Sequence, residues 1–294
     1  MLLAMVVIGV LTVTHATPVR TVISSGTTDR PPAVGDSLFA QVMELYTGTH
    51  FSSGNEVTLC LNGDGTYPRL WKDISSAKHT ITVQLYYSEP GKMAEEMRDR
   101  LAERARAGVS VLVVLDAFGS GPIMKTGFVD TLRAAGARVA WLRPIDWHTL
   151  NRAATRSHVR AIVIDGRIGY TGGFGLADYW FGDGHHPGQW RETNVRFEGP
   201  AVASLQAAFA SAYAEATGIL ITGNRFFPPV SFDAVGEKVA GLMHTTPVVG
   251  STSAERFLAL TIDAARKTLY ITNSYFIPDP QFRVMLMGAE KRGV

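Results

Sequence analysis

The run Val109–Leu115, between Gly108 and Asp116, most constrains the fold. It reads as a buried parallel strand, and a strand apolar on both faces must be covered on both. Its neighbours supply the cover. Met93–Ala107 reads as a charged amphipathic helix ending at Gly108. Phe128–Ala135 reads as a second helix, stopped by Gly136, and Arg138–Leu142 as the next strand. Thr80–Tyr86 alternates like a strand, and Val57–Leu61 is a further candidate. Strands alternating with helices imply an α/β domain with helices on both faces of a sheet.

Turn and breaker signals divide the rest. Asn62-Gly-Asp-Gly65 reads as a turn, and Pro68–Lys78 as a short helix. Val159–Asp165 and Ile168–Thr171 read as two strands joined at Asp165-Gly166, and Ala201–Ala216 as a helix closed by Gly218. Residues 1–13 are apolar but shorter than the about 20 residues a spanning helix needs. Residues 1–16 are read as a membrane anchor or signal-like segment, and 17–50 as tether and lead-in. Residues 51–222 form the first domain, 223–250 a linker and 251–294 the start of a second.

The second start rests on self-similarity. Ser76–Pro90 resembles Ala264–Pro278, at an offset of 188 residues from His79 to Lys267. The following helices close as Arg-Ala-Gly-Val109 and Lys-Arg-Gly-Val294. Such repetition signals duplicated units. The second copy reads as one strand and one helix. A counterpart of His158 would lie beyond Val294, so the expectation is a two-lobed protein with its second lobe truncated.

Composition narrows the chemistry. With 28 basic against 26 acidic residues the net charge is +2, and no basic stripe stands out, which disfavours nucleic acid as partner. The single cysteine, Cys60, excludes an intrachain disulfide and a Cys-rich zinc site, and reads as a buried strand residue. His185-His186 lies in a loop without an acidic or thiol cluster and reads as surface. No metal or cofactor is expected.

The chemistry-bearing segment is Ser157-His158-Val-Arg160-Ala-Ile-Val-Ile-Asp165, continuing to Thr171-Gly172-Gly173-Phe-Gly175. In an extended strand His158 and Arg160 project to the same face. An imidazole beside a guanidinium suits attack on a phosphodiester. The imidazole serves as nucleophile or general acid, and the guanidinium holds phosphate oxygens. Gly172 and Gly173 let backbone approach substrate closely. Asp116 and Gly119-Ser120 follow a buried strand, where α/β folds place functional loops, although a structural turn reads equally well. Tyr86 and Tyr87 read as sheet and core-edge residues, with lining of a lipid cleft as the alternative.

This segment resembles the HxKxxxxD motif of the phospholipase D superfamily, in particular its bacterial cardiolipin synthase-like members. Asn62–Pro68, Leu115–Ser120, Tyr170–Gly173 and Trp190–Val195, running into Glu198–Val202, extend the likeness. The resemblance implies an α-β-α sandwich with a mixed central sheet. It implies a phosphatidyltransferase or phospholipase D acting without metal through a phosphohistidine. His158 then corresponds to the nucleophile, Arg160 to the phosphate-binding lysine, Asp165 to a support of the motif, and Glu192 to the acid that orients the histidine. The implied partners are a phospholipid such as phosphatidylglycerol, a bacterial cell membrane, and a second lobe or second copy that completes the site. Arg160 replaces the usual lysine, Gly175 stands at a common asparagine position, and Asn194 at a common histidine. Two alternatives remain: a phosphodiesterase or nuclease of the same superfamily, and an inactive half-site.

Overall fold

The structure, a computed structural model, describes residues 5–6, 9–10, 30–144, 155–245 and 252–294. Most of the apolar segment 1–16, residues 17–29 of the tether, residues 246–250 of the linker and residue 251 of the second start lie outside the described residues. In chain order the elements begin with α1 (Ser37–Thr47), β1 (Phe51–Leu61), α2 (Asn62–Ser76), β2 (Thr80–Leu85) and α3 (Lys92–Arg106). They continue with β3 (Ser110–Asp116), α4 (Phe128–Ala134), β4 (Arg138–Leu142), β5 (Ala161–Ile164), β6 (Ile168–Thr171) and β7 (Thr193–Glu198). The last are α5 (Ala201–Thr217), β8 (Lys238–Gly241), α6 (Ser253–Ala264) and α7 (Pro280–Lys291). The chain divides into two compact units, Ser52–Leu242 on one hand and Met1–Phe51 with Met243–Val294 on the other.

The larger unit holds a sheet in the order β4-β3-β2-β5-β6-β7-β1-β8. β2, β3 and β4 are parallel, as the apolar run required. β5 joins β2 antiparallel, and β6, β7 and β1 follow in antiparallel steps. The sheet is mixed and the class is α/β. Alternation along β2 and β3 sends Ile81, Val83, Leu85, Val111, Val113 and Leu115 into one core with α2, α3 and α4. Leu112 and Val114 point the other way, against Phe209 and Tyr213 of α5. Helices therefore cover both faces. Cys60 is buried in β1.

Two local signals behave differently. Asp165 and Gly166 adopt φ of 51° and 62°, the left-handed pair that closes a tight hairpin between β5 and β6. Asn62-Gly-Asp-Gly65, read as a turn, is instead the first turn of α2. Asn62 keeps a left-handed φ of 55° while its helix winds on. Gly63 is required there because a Cβ would overlap the Trp180 carbonyl oxygen.

In the smaller unit α7 forms, capped by Asp279 Oδ1, which accepts from Phe282 N at 2.7 Å. The strand expected in the repeat before it does not form: residues 267–273 pair with no strand among the described residues, and Tyr270 is 89% exposed. A strand needs a neighbour for its backbone hydrogen bonds, and this unit contains none among the described residues. No helix of the described residues is long and apolar enough to cross a membrane.

Candidate active site

The carboxyl ends of β2, β3 and β6 and the amino ends of β5 and β7 lie along one edge of the sheet. The ladder of β5 starts only at Ala161, opposite Gln84. His158 and Arg160 thus precede the paired strand rather than lie within it, and they meet at one ring. The His158 imidazole stacks on Tyr86, centroids 3.6 Å apart and planes 25° from parallel. The Arg160 guanidinium carbon lies 5.9 Å from the same ring's centre.

Arg160 is held by its own backbone surroundings. Nε donates to Phe174 O at 2.9 Å and Nη1 to His158 O at 3.0 Å, while Thr171 Oγ1 donates to Arg160 O at 2.8 Å. Nη2 donates to no protein group among the described residues. Burial draws the Arg160 pKa down, with the Glu192 carboxylate foremost among the opposing influences. The guanidinium stays protonated at any physiological pH.

The His158 pKa is lowered, first by burial and then by the Arg160 charge, with Asp116 opposing. The imidazole is therefore biased toward its neutral form, which has the lone pair a nucleophile needs. Asp116, at the end of β3, is buried. Its Oδ1 accepts from Phe118 N at 3.0 Å and Gly119 N at 3.2 Å, and its Oδ2 accepts from Ser157 N at 3.3 Å. Ser157 Oγ in turn accepts from Gln84 Nε2 at 3.0 Å. Two side chains from the parallel half of the sheet thereby anchor the residue before His158.

Glu192 reaches the same edge from the start of β7. Asn62 clamps its backbone: Asn62 N donates to Glu192 O at 2.7 Å, and Glu192 N donates to Asn62 Oδ1 at 2.9 Å. Glu192 Oε1 accepts from Thr193 N at 2.9 Å. No hydrogen bond joins it to the His158 ring among the described residues; its charge acts on Arg160. The glycines make room for this arrangement. A Cβ on Gly173 would overlap Glu192 Oε2, and one on Gly172 would overlap Asn194 Oδ1. At Gly175 a Cβ would stand 2.8 Å from both Tyr87 O and Trp180 Cζ3, so the packing there leaves no space for a side chain.

Asp165 sits at the far end of β5, about 20 Å along the chain from His158. Its carboxylate accepts from Lys78 N, His79 N and Thr80 N at 2.7–2.8 Å, tying the hairpin to the start of β2. It makes no hydrogen bond to the side chains of His158 or Arg160 among the described residues. Among the described residues no three His, Cys, Asp or Glu side chains converge to hold a metal ion.

Sequence reasoning missed the clamp by Asn62, the anchor at Gln84 and the stack on Tyr86. Gln84 carried no signal of its own, because its strand alternates it with Thr80 and Thr82 as the other polar positions. Asp116 did carry a signal, its place at the end of a buried parallel strand.

Four likenesses accompany this geometry. Residues 70–212 match the family described as cardiolipin synthase, PLD-like domain. Cardiolipin synthase A of Pseudomonas syringae is 32% identical over 246 residues, which is 82% of this chain and 50% of that protein. Cardiolipin synthase 1 of Bacillus cereus is 28% identical over 262 residues, 86% of this chain and 51% of that protein. The chain thus spans about half the length of the curated relatives it matches. Among solved structures, the phospholipase D family member Nuc from Salmonella typhimurium aligns with a TM-score of 0.42 and 16% identity, covering 55% of this chain and 96% of that one.

Proposed function

Because the chain belongs to the phospholipase D superfamily, through a PLD-like domain of the cardiolipin synthase type, we propose that it transfers phosphatidyl groups between alcohols on phospholipids. The observation that carries this reading is the pairing at one sheet edge of a neutral-biased His158 with a protonated Arg160. In the first step the imidazole nitrogen bonds to phosphorus, and the bond from phosphorus to the headgroup oxygen breaks. That oxygen leaves with a proton from a second histidine, contributed by a second lobe or another copy of the chain. In the second step the hydroxyl of an acceptor lipid gives its proton back to that second histidine and attacks phosphorus, and the nitrogen–phosphorus bond breaks, freeing His158. Arg160, through Nη2, holds the phosphoryl oxygens and offsets their growing charge. Glu192 steadies Arg160 electrostatically. Gly172 and Gly173 bring backbone close to the phosphate. Asp165 secures the motif from below.

Phospholipid substrate and bacterial membrane association belong to the same proposal. Phe118 and Trp190, large apolar residues more than half exposed, stand in the loops that follow β3 and precede β7. They offer apolar surface for acyl chains.

The test is transfer from phosphatidylglycerol by the chain and by its His158→Ala variant. Product from the parent and none from the variant is expected. Equal yield from both overturns the mechanism. Cleavage of single-stranded DNA without lipid transfer would favour a nuclease instead.

A further inference from the structure

Tyr86 immediately follows β2, and the loop after β3 holds both its backbone and its ring. Ser120 Oγ donates to the Tyr86 carbonyl oxygen at 3.0 Å and lies 3.1 Å from Ser88 Oγ. Gly119 passes so close that a Cβ there would overlap that carbonyl oxygen and stand 2.9 Å from ring atom Cε2. No side chain larger than hydrogen fits at 119 while the ring keeps its place. The ring so held lies flat on the His158 imidazole. Among the described residues the imidazole makes no side-chain hydrogen bond, so this stack is what fixes its plane.

We propose that Tyr86, seated by Gly119 and Ser120, is the positioning residue for His158. It backs one face of the imidazole and leaves the ring edge and the opposite face to meet phosphorus. The proposal deepens the function proposed above and rests on it for the role of His158. It also accounts for Gly119-Ser120, which the chemistry otherwise leaves without a task.

The physical case is one of geometry. A nucleophile reacts well only when held near its line of attack, and small misplacements are punished heavily. In many sites a carboxylate does this by hydrogen bonding the second ring nitrogen. Here a flat ring does it instead. The groups facing the imidazole are Tyr86 from the end of β2, Arg160 from the lead-in to β5, and Asp116 from the end of β3. A tyrosine face attracts imidazolium, as does Asp116. Burial and the Arg160 charge outweigh both. Removing the ring uncovers the imidazole and weakens the largest of the lowering influences.

The experiment is nuclear magnetic resonance of the full chain, following the His158 ring signals, assigned by their loss in His158→Gln. In the parent the ring protons are expected upfield, under the ring current of Tyr86. Tyr86→Phe is expected to leave both their position and their titration unchanged. Tyr86→Ala is expected to move them downfield and to shift their titration midpoint upward. Gly119→Ala, which displaces the tyrosine from behind, is expected to do the same. Tyr86→Leu keeps an apolar body in place and supplies the ring-current test should the alanine variants lose the fold. An unmoved His158 signal in Tyr86→Leu, with the other histidines intact, overturns the proposal. No lipid turnover enters this measurement. A parent that shows these shifts but transfers no lipid would overturn the proposed function and leave the role of Tyr86 standing.

Discussion

The carboxylate of Glu192 occupies the space where a Cβ on Gly173 would lie. The contact is with the end of a flexible side chain, so the carboxylate can move aside. Gly173→Ala should therefore keep its melting temperature while displacing Glu192 from beside Arg160. A loss in kcat of about 10- to 100-fold is expected. Gly172→Ala differs, because its Cβ meets the Asn194 backbone as well as its side chain, at a φ of 153°. That variant should lose stability too. Paired thermal melts and rate measurements separate the two.

Asp165 should matter to folding and not to chemistry. Asp165→Ala leaves three backbone N–H groups without their acceptor. Denaturant titration is expected to show a loss of roughly 1–3 kcal/mol. Asp165→Asn retains one acceptor oxygen and should lose less. The kcat of the folded fraction should match the parent in both.

Placing an asparagine at position 175 should not raise activity. In Gly175→Asn the new Cβ meets Tyr87 O and the Trp180 ring, and disturbs the Gly175 carbonyl that accepts from Tyr67 Oη at 3.2 Å. Overpacking of this kind costs about 1–3 kcal/mol. Chemical denaturation reads the loss directly, and a gain in transfer rate would contradict it.

The pH profile follows from His158. On the proposed mechanism only the neutral form of His158 attacks phosphorus, so activity should fall as pH drops through its pKa. That pKa is lowered by burial and by Arg160. The acid limb of kcat/KM should therefore lie below the range of an ordinary histidine. Arg160→Gln removes a lowering influence and should move the limb upward as well as weaken phosphate binding.

The anchoring of His158 was only partly legible in the sequence. Ser157 and Gln84 stand 73 residues apart and meet only because β5 lies antiparallel to β2 in the register Gln84 to Ala161. Asp116 stood out as a polar residue at the end of a buried strand, but Gln84 did not, and the shared partner Ser157 could not be read from spacing. Glu192 was marked by resemblance alone. Its backbone clamp was not, since Asn62 is 130 residues away.

The sequence by itself determined what depends on neighbouring residues. Apolar runs and helix stops marked β3, β4, α3, α4 and α5, and Asp165-Gly166 marked its hairpin, because φ above zero is cheap for those two residues. The tertiary structure decided what depends on distant partners. It turned Asn62–Gly65 from a turn into the start of a helix, since Asn62 had Glu192 to hold and Gly63 had Trp180 to pass. It left residues 267–273 without a ladder, although their sequence repeats that of β2, because no strand lies beside them in their unit among the described residues. It also laid His158 on Tyr86, a contact across 72 residues that only the sheet's register creates. Local propensity acts within a few residues, whereas a site at a sheet edge is assembled by pairing and packing over the whole domain.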